Sequence, residues 1–188
     1  IMKQVNEVNT DLQYDDAVNN CREIFLKKNK DYGTSWRVYR SISISDQIYI
    51  KAKRIRNIQE KKAQKIEDDV KGEFRGIVNY AVIGLIQLDI AADDADPDWE
   101  EKIPFDKVIK WYDAKIAAAK SLMKNKNHDY GEAWREMTQE SFVDLILAKI
   151  FRIKEIIQNE GKTVASEGID ANFYDILNYA VFALILSD

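Results

Sequence analysis

The sequence has few residues that interrupt helices. It contains two prolines and seven glycines in 188 residues, and both prolines, Pro97 and Pro104, lie at one short acidic stretch. A chain with so few breakers and rich in Ala, Ile, Lys and Glu is predicted to be all-α. The single cysteine, Cys21, excludes an intramolecular disulfide framework and, with one histidine, a Cys/His zinc cluster.

The sequence also lacks an excess of positive charge and a long apolar run. With 28 Lys and Arg against 32 Asp and Glu, the formal net charge is −4. Direct nucleic-acid binding, which depends on neutralising phosphates, is therefore not expected. No run approaches the ~20 apolar residues that span a bilayer, and the N-terminus lacks the apolar core of a signal peptide. We expect a cytoplasmic protein with no membrane partner.

The sequence contains an internal duplication. Lys-Asn-Lys-Asp-Tyr-Gly at 28–33 recurs as Lys-Asn-His-Asp-Tyr-Gly at 126–131, and Trp36-Arg37 recurs as Trp134-Arg135. The correspondence continues to the end of the chain with one residue gained. We therefore divide the chain into repeat copy one (12–92), an acidic linker (93–104) and copy two (105–188), since a short polar linker with a proline is typical of a boundary.

Each copy is predicted to form three helices from its apolar spacing. The first ends at Gly33 or Gly131, which suit the left-handed residue after a helix. The second begins near Ser45-Asp46 or Ser141 as N-caps. The third runs over about 73–89 or 170–186. Because the third helix is too apolar to remain alone, we expect one compact, pseudo-two-fold bundle with the second and third helices of both copies as its core. A homo-oligomer is left open.

The repeated signature has a structural and a functional interpretation. In the first, Gly ends the helix and Trp anchors the loop on the core. In the second, Lys and Arg hold phosphate, Asp holds a metal ion or a hydroxyl, and an aromatic ring stacks on a base. The candidate nucleotide-binding residues are Lys28, Asp31, Tyr32, Trp36 and Arg37 in copy one, and Lys126, Asp129, Tyr130, Trp134 and Arg135 in copy two.

A second repeated pattern is a basic pair on the second helix, Lys51 with Arg54 and Lys149 with Arg152. A spacing of three places both residues on one helix face. The long side chains could cover the edge of the bundle and pair with nearby acids. They could equally form an anion site between helices, with phosphate as the natural guest.

A third pattern is a set of acids at the third helix of copy two. Glu167, Asp170 and Asp175 are candidate ligands for Mg²⁺, which prefers oxygen donors. A favourable interaction with the helix dipole would explain the acids at the helix start, Glu167 and Asp170, without any ligand. It does not explain Asp175, which lies in the second turn. Asp175 and Asn178 are the candidate catalytic residues. Copy one has Gly76 in place of Asp175 and retains Asn79, so a complete metal site is expected in copy two only.

These motifs resemble the nucleotide modification associated domain 1 family. The resemblance is carried by the signature from Lys126, by the Lys-x-x-Arg-Ile motif from Lys149, and by Glu-x-x-Asp-x-x-x-x-Asp-x-x-Asn-Tyr-Ala from Glu167. The two copies cover nearly the whole chain. The resemblance implies a link to nucleotide or DNA-base modification and a nucleotide or deoxynucleotide ligand. Asn79 would contribute to binding that ligand. The resemblance implies no established reaction.

A more distant similarity is to the MazG-like all-α NTP pyrophosphatases. These are helical bundles in which acids on two helices hold magnesium, and they release pyrophosphate from a nucleoside triphosphate. Glu167-x-x-Asp170 is similar to the second half of their metal motif. The first half, Glu-Glu-x-x-Glu, is missing, since the corresponding helix of copy two has Asp144, Ala148 and Lys149.

Three hypotheses remain open from the sequence. The chain could be a magnesium-dependent nucleotide pyrophosphohydrolase, with acids on the metal, basic residues on the phosphates, and Trp134 or Tyr130 at the base. It could be a non-catalytic nucleotide sensor that binds at copy two. It could also be a helical interaction scaffold in which the signature serves packing alone.

Overall fold

A computed structural model describes residues 2–61, 67–163 and 167–187, with side chains from 9–61, 69–163 and 167–187. The described residues contain helices and no strand, so the all-α prediction is confirmed. The helices are α1 (Met2–Tyr32), α2 (Ser41–Lys61), α3 (Glu67–Asp93), α4 (Phe105–Tyr130), α5 (Gln139–Gln158) and α6 (Ile169–Leu186). Short 3-10 helices follow α1 at Ser35–Val38 and α4 at Ala133–Glu136.

The helix ends agree only partly with the predictions. Gly33 and Gly131 follow α1 and α4 with φ of +60° and +64°, as predicted. The predicted N-caps are wrong. Ser45 lies inside α2, where its hydroxyl donates to the Ser41 carbonyl at 2.8 Å. The cap of α5 is Thr138, whose Oγ1 accepts from the backbone N–H of Ser141 at 3.2 Å. At α5, two cap-forming residues, Thr138 and Ser141, lie within one turn, and the earlier one caps the helix.

The core is the predicted four-helix arrangement. α3 and α6 make the most extensive contact in the molecule, α2 packs on α3, α5 packs on α6, and α2 and α5 pack on each other. α1 and α4 lie against α3 and α6 from outside. The central contact is close, because a Cβ added at Gly84 of α3 would lie 2.9 Å from the ring of Phe173 of α6. A small residue at this crossing lets the two central helices approach.

Two helices are long and apolar enough to cross a membrane by length and composition. They are the segment Asp69–Asp93 and helix α6, each with a mean hydropathy of 1.3, so the expectation that no such stretch exists is wrong by this measure. At least half of each apolar window is buried inside the bundle. Burial from several sides is what the central helices of a bundle require, and this accounts for their apolar composition.

Each copy packs its first helix on the other copy. Tyr14 of α1 donates to Asn178 Oδ1 of α6 at 2.7 Å, and Tyr112 of α4 donates to Asn79 Oδ1 of α3 at the same distance. All four side chains are buried. The two bonds between the copies are therefore equivalent, as expected from a pseudo-two-fold arrangement, and the two copies share one core.

Candidate functional site

The polar cluster of copy two joins three helices at one carboxylate. Asp175, in the second turn of α6, accepts from Lys126 of α4 at 2.7 Å and from Lys149 of α5 at 2.8 Å. The side chains of Asp175 and Lys149 are each only 14% exposed, whereas that of Lys126 is 58% exposed. The cluster is therefore half-buried and open to solvent on the Lys126 side.

The lysines keep the Asp175 carboxyl ionised. Burial alone would raise the pKa of Asp175, but hydrogen bonds and charge from Lys126 and Lys149 outweigh it and place the pKa below its usual value. Burial likewise opposes the charged form of Lys126, and the bond to Asp175 overcomes it, so the pKa of Lys126 lies above its usual value. Asp175 and Lys126 are therefore both charged at neutral pH.

Arg152 and Tyr179 complete the cluster. Arg152 lies one turn after Lys149 on α5, is exposed, and makes no ion pair within the residues that the structure describes. Tyr179 lies one turn after Asp175; burial and the charge of Asp175 raise the pKa of its hydroxyl, while Lys126 and Arg152 act in the opposite direction. Two lysines therefore contact the carboxylate of Asp175, the charge of Arg152 reaches Tyr179, and Glu167 is a further acid whose charge reaches Lys126.

Copy one uses the same basic pair differently. Arg54 donates to Glu73 at 2.6 Å, and Lys51 donates to the other oxygen of Glu73 at 3.4 Å. Lys51 lies across Gly76, the counterpart of Asp175, because a Cβ there would meet the lysine side chain at 2.9 Å. The counterpart of Glu73 in copy two is Asn172, which is buried and donates to the Gly168 carbonyl at 2.8 Å.

Several signature residues belong to the core rather than to an open site. Trp36 and Trp134 are each 7% exposed, and Trp134 stacks on Phe182 with ring centroids 4.2 Å apart. A base could not reach either indole without unpacking the core, so the predicted stacking role does not fit Trp36 or Trp134. The fact that both tryptophans recur reflects packing.

The two signature arginines are also held by protein groups. Arg37 is buried and donates to Gln87, whose amide in turn donates to the carbonyls of residues 36, 37 and 39. Arg135 donates to Glu132 at 3.0 Å and to Thr10 and Gln13 of α1 at 2.7 Å each. The predicted phosphate contacts do not fit Arg37 and Arg135, which secure the loop and the contact between copies.

The remaining signature residues are exposed at the ends of α1 and α4. They are Lys28, Asp31 and Tyr32 in copy one and Lys126, Asp129 and Tyr130 in copy two. Tyr32 is 71% exposed and Tyr130 is 78% exposed. The copy-one loop also borders an 820 Å³ cleft, whose other side is formed by linker residues from Trp99 to Ile103 and by Phe105 at the start of α4. Among the described side chains, the signature lysine of copy two, Lys126, pairs with an acid on the third helix, and no such pair is seen for Lys28.

Asn178 and Asn79 do not fit the predicted catalytic and ligand roles. Asn178 is 6% exposed, accepts from Tyr14, and donates to the Ala119 carbonyl at 3.0 Å. Asn79 is 8% exposed and makes the equivalent bonds to Tyr112 and to the Cys21 carbonyl. Each amide therefore already has a donor and an acceptor partner, and both asparagines join helices.

The predicted magnesium ligands are not gathered into one group. Among the described residues, no three His, Cys, Asp or Glu side chains come together in a way that could hold a metal ion. Glu167 and Asp170 are exposed at the start of α6, while the oxygens of Asp175 face two lysines. This donor set does not fit a magnesium centre.

Comparison with known protein families shows which family the chain belongs to. Residues 28–88 and 126–186 each match the family described as nucleotide modification associated domain 1. The chain belongs to this family. One match lies within each copy of this family member, and the resemblance inferred from its sequence is confirmed. No match was found among curated proteins or solved structures, and the similarity to MazG-like enzymes is not supported.

Two residues that the structure places at the basic pairs, Tyr179 and Glu73, are not among the predicted site residues. Tyr179 borders the cluster and is matched by Tyr80 in copy one, so its repetition was a usable signal. Glu73 lies about one helical turn before Gly76, the counterpart of Asp175, so it does not align with an acid of copy two. A carboxylate one turn away on the same helix face can reach the same cations, and spacing alone does not exclude it.

Proposed function

We propose that the protein binds a nucleotide through its phosphate groups at copy two, with Lys126, Lys149 and Arg152 as the cationic residues. The observation that carries this proposal is the exposed Arg152, which has no ion-pair partner among the described residues, beside a half-buried Lys–Asp–Lys cluster. A guanidinium offers paired donors that match phosphate oxygens.

The charge balance of the site supports an anionic ligand. Lys126, Lys149 and Arg152 carry three positive charges, and Asp175 and the exposed Glu167 carry two negative charges, so an excess of one positive charge remains. Partial burial makes this excess more effective than it would be in open solvent, because screening by water is weaker there. Asp175 positions the two lysines before a ligand arrives, which lowers the entropic cost of binding.

Tyr130 supports a ligand that carries a ring as well as phosphate. It follows Lys126 by four residues at the end of α4, and residues so spaced share one helix face. Its ring is 78% exposed. A base stacked there would lie beside the phosphate-binding cluster, whereas the buried Trp134 could not contribute. The family description, which refers to nucleotide modification, supports the same ligand class.

The arrangement of the acidic side chains in copy two favours nucleotide binding without hydrolysis. A metal-dependent pyrophosphohydrolase needs several oxygen ligands aimed at one point, and the acids of copy two are not arranged in that way in the described residues. We therefore assign no hydrolytic step and propose a nucleotide-binding role, as in a sensor, for this family member.

Calorimetric titration tests the proposal. Wild-type protein is titrated with nucleoside mono-, di- and triphosphates and with the free nucleoside, each with and without Mg²⁺. We expect affinity to rise with phosphate number. Arg152→Gln should weaken binding by about 10- to 100-fold, equivalent to the ~1.5–3 kcal/mol of a hydrogen bond to a charged group.

Arg54→Gln is the matched control, because Arg54 is the copy-one counterpart and is already paired with Glu73. It should leave nucleotide affinity unchanged. Absence of binding at millimolar nucleotide, or equal losses in both variants, would contradict the proposal. Turnover of a triphosphate in the presence of Mg²⁺ would restore the hydrolase hypothesis.

A further inference from the structure

We infer that Glu73 permanently occupies the copy-one counterpart of the phosphate site, so that the chain has one open oxyanion site, between Lys149 and Arg152 of copy two. This inference rests on the proposed function and deepens it, because it places the ligand oxyanion and sets the stoichiometry at one per chain.

Glu73 behaves as an internal ligand of the basic pair on α2. One of its oxygens accepts from Arg54 at 2.6 Å and the other from Lys51 at 3.4 Å. The Glu73 side chain is only 15% exposed, so it lies against the helices rather than in solvent. A carboxylate held by both oxygens between a lysine and an arginine marks where this pair of cations holds an oxyanion.

Gly76 makes this closed arrangement possible. Lys51 passes over the glycine with its Cε and Cδ carbons 2.9 and 3.1 Å from where a Cβ would be. A side chain there would displace the lysine from its path towards Glu73, one turn earlier on α3. The glycine at position 76 and the position of Glu73 are therefore linked, because the path of Lys51 to Glu73 depends on the missing side chain.

Copy two retains the basic pair without this internal carboxylate. Asn172 stands where copy one has Glu73, and its amide is turned to the Gly168 carbonyl. Lys149 is held by Asp175, and no described side chain forms an ion pair with Arg152. An external oxyanion of carboxylate or phosphate size can accept hydrogen bonds from Lys149 and Arg152, as Glu73 accepts them from Lys51 and Arg54 in copy one. We assign it to phosphate, because the tetrahedral group has further oxygens for Lys126.

Exchange of the two residues between the copies tests the inference. Inorganic pyrophosphate is titrated calorimetrically into wild type, Glu73→Gln and Asn172→Glu, with circular dichroism to confirm folding. We expect one site per wild-type chain and two in Glu73→Gln, which keeps the size of the side chain and removes its charge. Asn172→Glu should weaken the wild-type site at least tenfold. A dicarboxylate of similar size, titrated in parallel, should bind more weakly than pyrophosphate.

Asp69→Asn is the matched control for Glu73→Gln. Asp69 also lies near Arg54, at 3.6 Å, but is exposed and does not contact Lys51 among the described pairs. Its replacement should leave the stoichiometry at one. Because Asn172 is buried, Asn172→Glu could unfold the chain, and Glu73→Gln then decides the question alone.

The outcomes separate this inference from the proposed function. Two sites in wild type, or one site in a folded Glu73→Gln variant, would overturn the inference while leaving nucleotide binding intact. No site in wild type and one in Glu73→Gln would support the internal-ligand role and contradict the proposed function. No binding in any folded variant would overturn both.

Discussion

The hydroxyl of Tyr14 donates to Oδ1 of Asn178 at 2.7 Å and so joins the first helix of copy one to the last helix of copy two. The Nδ2 of Asn178 then donates to the Ala119 carbonyl of α4. One buried amide thus connects α1, α4 and α6. In the same way, the bonds of Asn79 to Tyr112 and to the Cys21 carbonyl connect α3 to α4 and α1.

Tyr14→Phe and Tyr112→Phe should each destabilise the fold. Removal of either hydroxyl leaves the Oδ1 of a buried asparagine without its donor, and such a loss costs about 1–3 kcal/mol. Urea denaturation followed by circular dichroism should show a lower midpoint with an unchanged m-value. Tyr130→Phe, on a ring that is 78% exposed, is the control and should be neutral. If Tyr14→Phe or Tyr112→Phe were as stable as Tyr130→Phe, the corresponding tyrosine–asparagine bond would not contribute to stability as we expect.

Two glycines of α3 should respond to alanine in opposite directions. Gly84→Ala places a Cβ 2.9 Å from the buried ring of Phe173, and overpacking of this kind costs about 1–3 kcal/mol. Gly72 lies in the same helix with nothing within 4 Å of the added carbon. Gly72→Ala should therefore stabilise the chain by ~0.5–1 kcal/mol, because alanine favours helix. Thermal unfolding of both variants measures the difference; equal shifts would argue against close α3–α6 contact.

Asp175→Asn should make stability less dependent on acid pH. The pKa of Asp175 is lowered in the folded state, so its contribution is present above the unfolded pKa of about 3.9 and is lost as pH falls through the folded pKa. The variant should be less stable than wild type at pH 7, and the two curves should converge below about pH 4. Urea midpoints across pH 3–7 measure this. A constant difference across the range would show that the carboxylate is not the cause.

The same substitution distinguishes two roles for Asp175 in binding. If Lys126 and Lys149 receive phosphate directly, Asp175→Asn removes a competing negative charge but keeps a side-chain oxygen that can still position a lysine. Affinity for a nucleotide without Mg²⁺ should then increase. If Asp175 holds a metal ion, affinity should fall and the effect of Mg²⁺ should disappear. We expect the first result, because both lysines contact this carboxylate. Calorimetry at constant ionic strength makes the comparison.

Cys21 should be unreactive until the chain unfolds. The thiol is fully buried, and burial raises its pKa to about 12. Since the thiolate is the reactive form, a thiol reagent at neutral pH should label native protein only through opening of the core. Labelling kinetics in increasing urea should follow the circular-dichroism transition. Stoichiometric labelling of native protein within minutes would show that this face of α1 is not packed against the core as the structure places it.

The sequence was sufficient for those features that depend on neighbouring residues. Apolar spacing along each segment predicts the helices because periodicity is a local property, and the repeated segments predict the pseudo-two-fold bundle. Gly33 and Gly131 predict the ends of α1 and α4 because a left-handed residue favours glycine. The starts of α2 and α5 were misplaced because serine and threonine can cap a helix or bond within it, and local sequence does not choose between the two.

The sequence by itself therefore determined the helices, the duplication, the family and the types of residue available for binding. Tertiary structure decided which of those residues meet. Lys126, Lys149 and Asp175 come from three helices, and their contact depends on how the helices pack. Repetition could not distinguish residues kept for packing, such as Trp134 and Asn178, from residues open to a ligand. Burial and hydrogen-bond partners make that distinction, because both depend on residues distant along the chain.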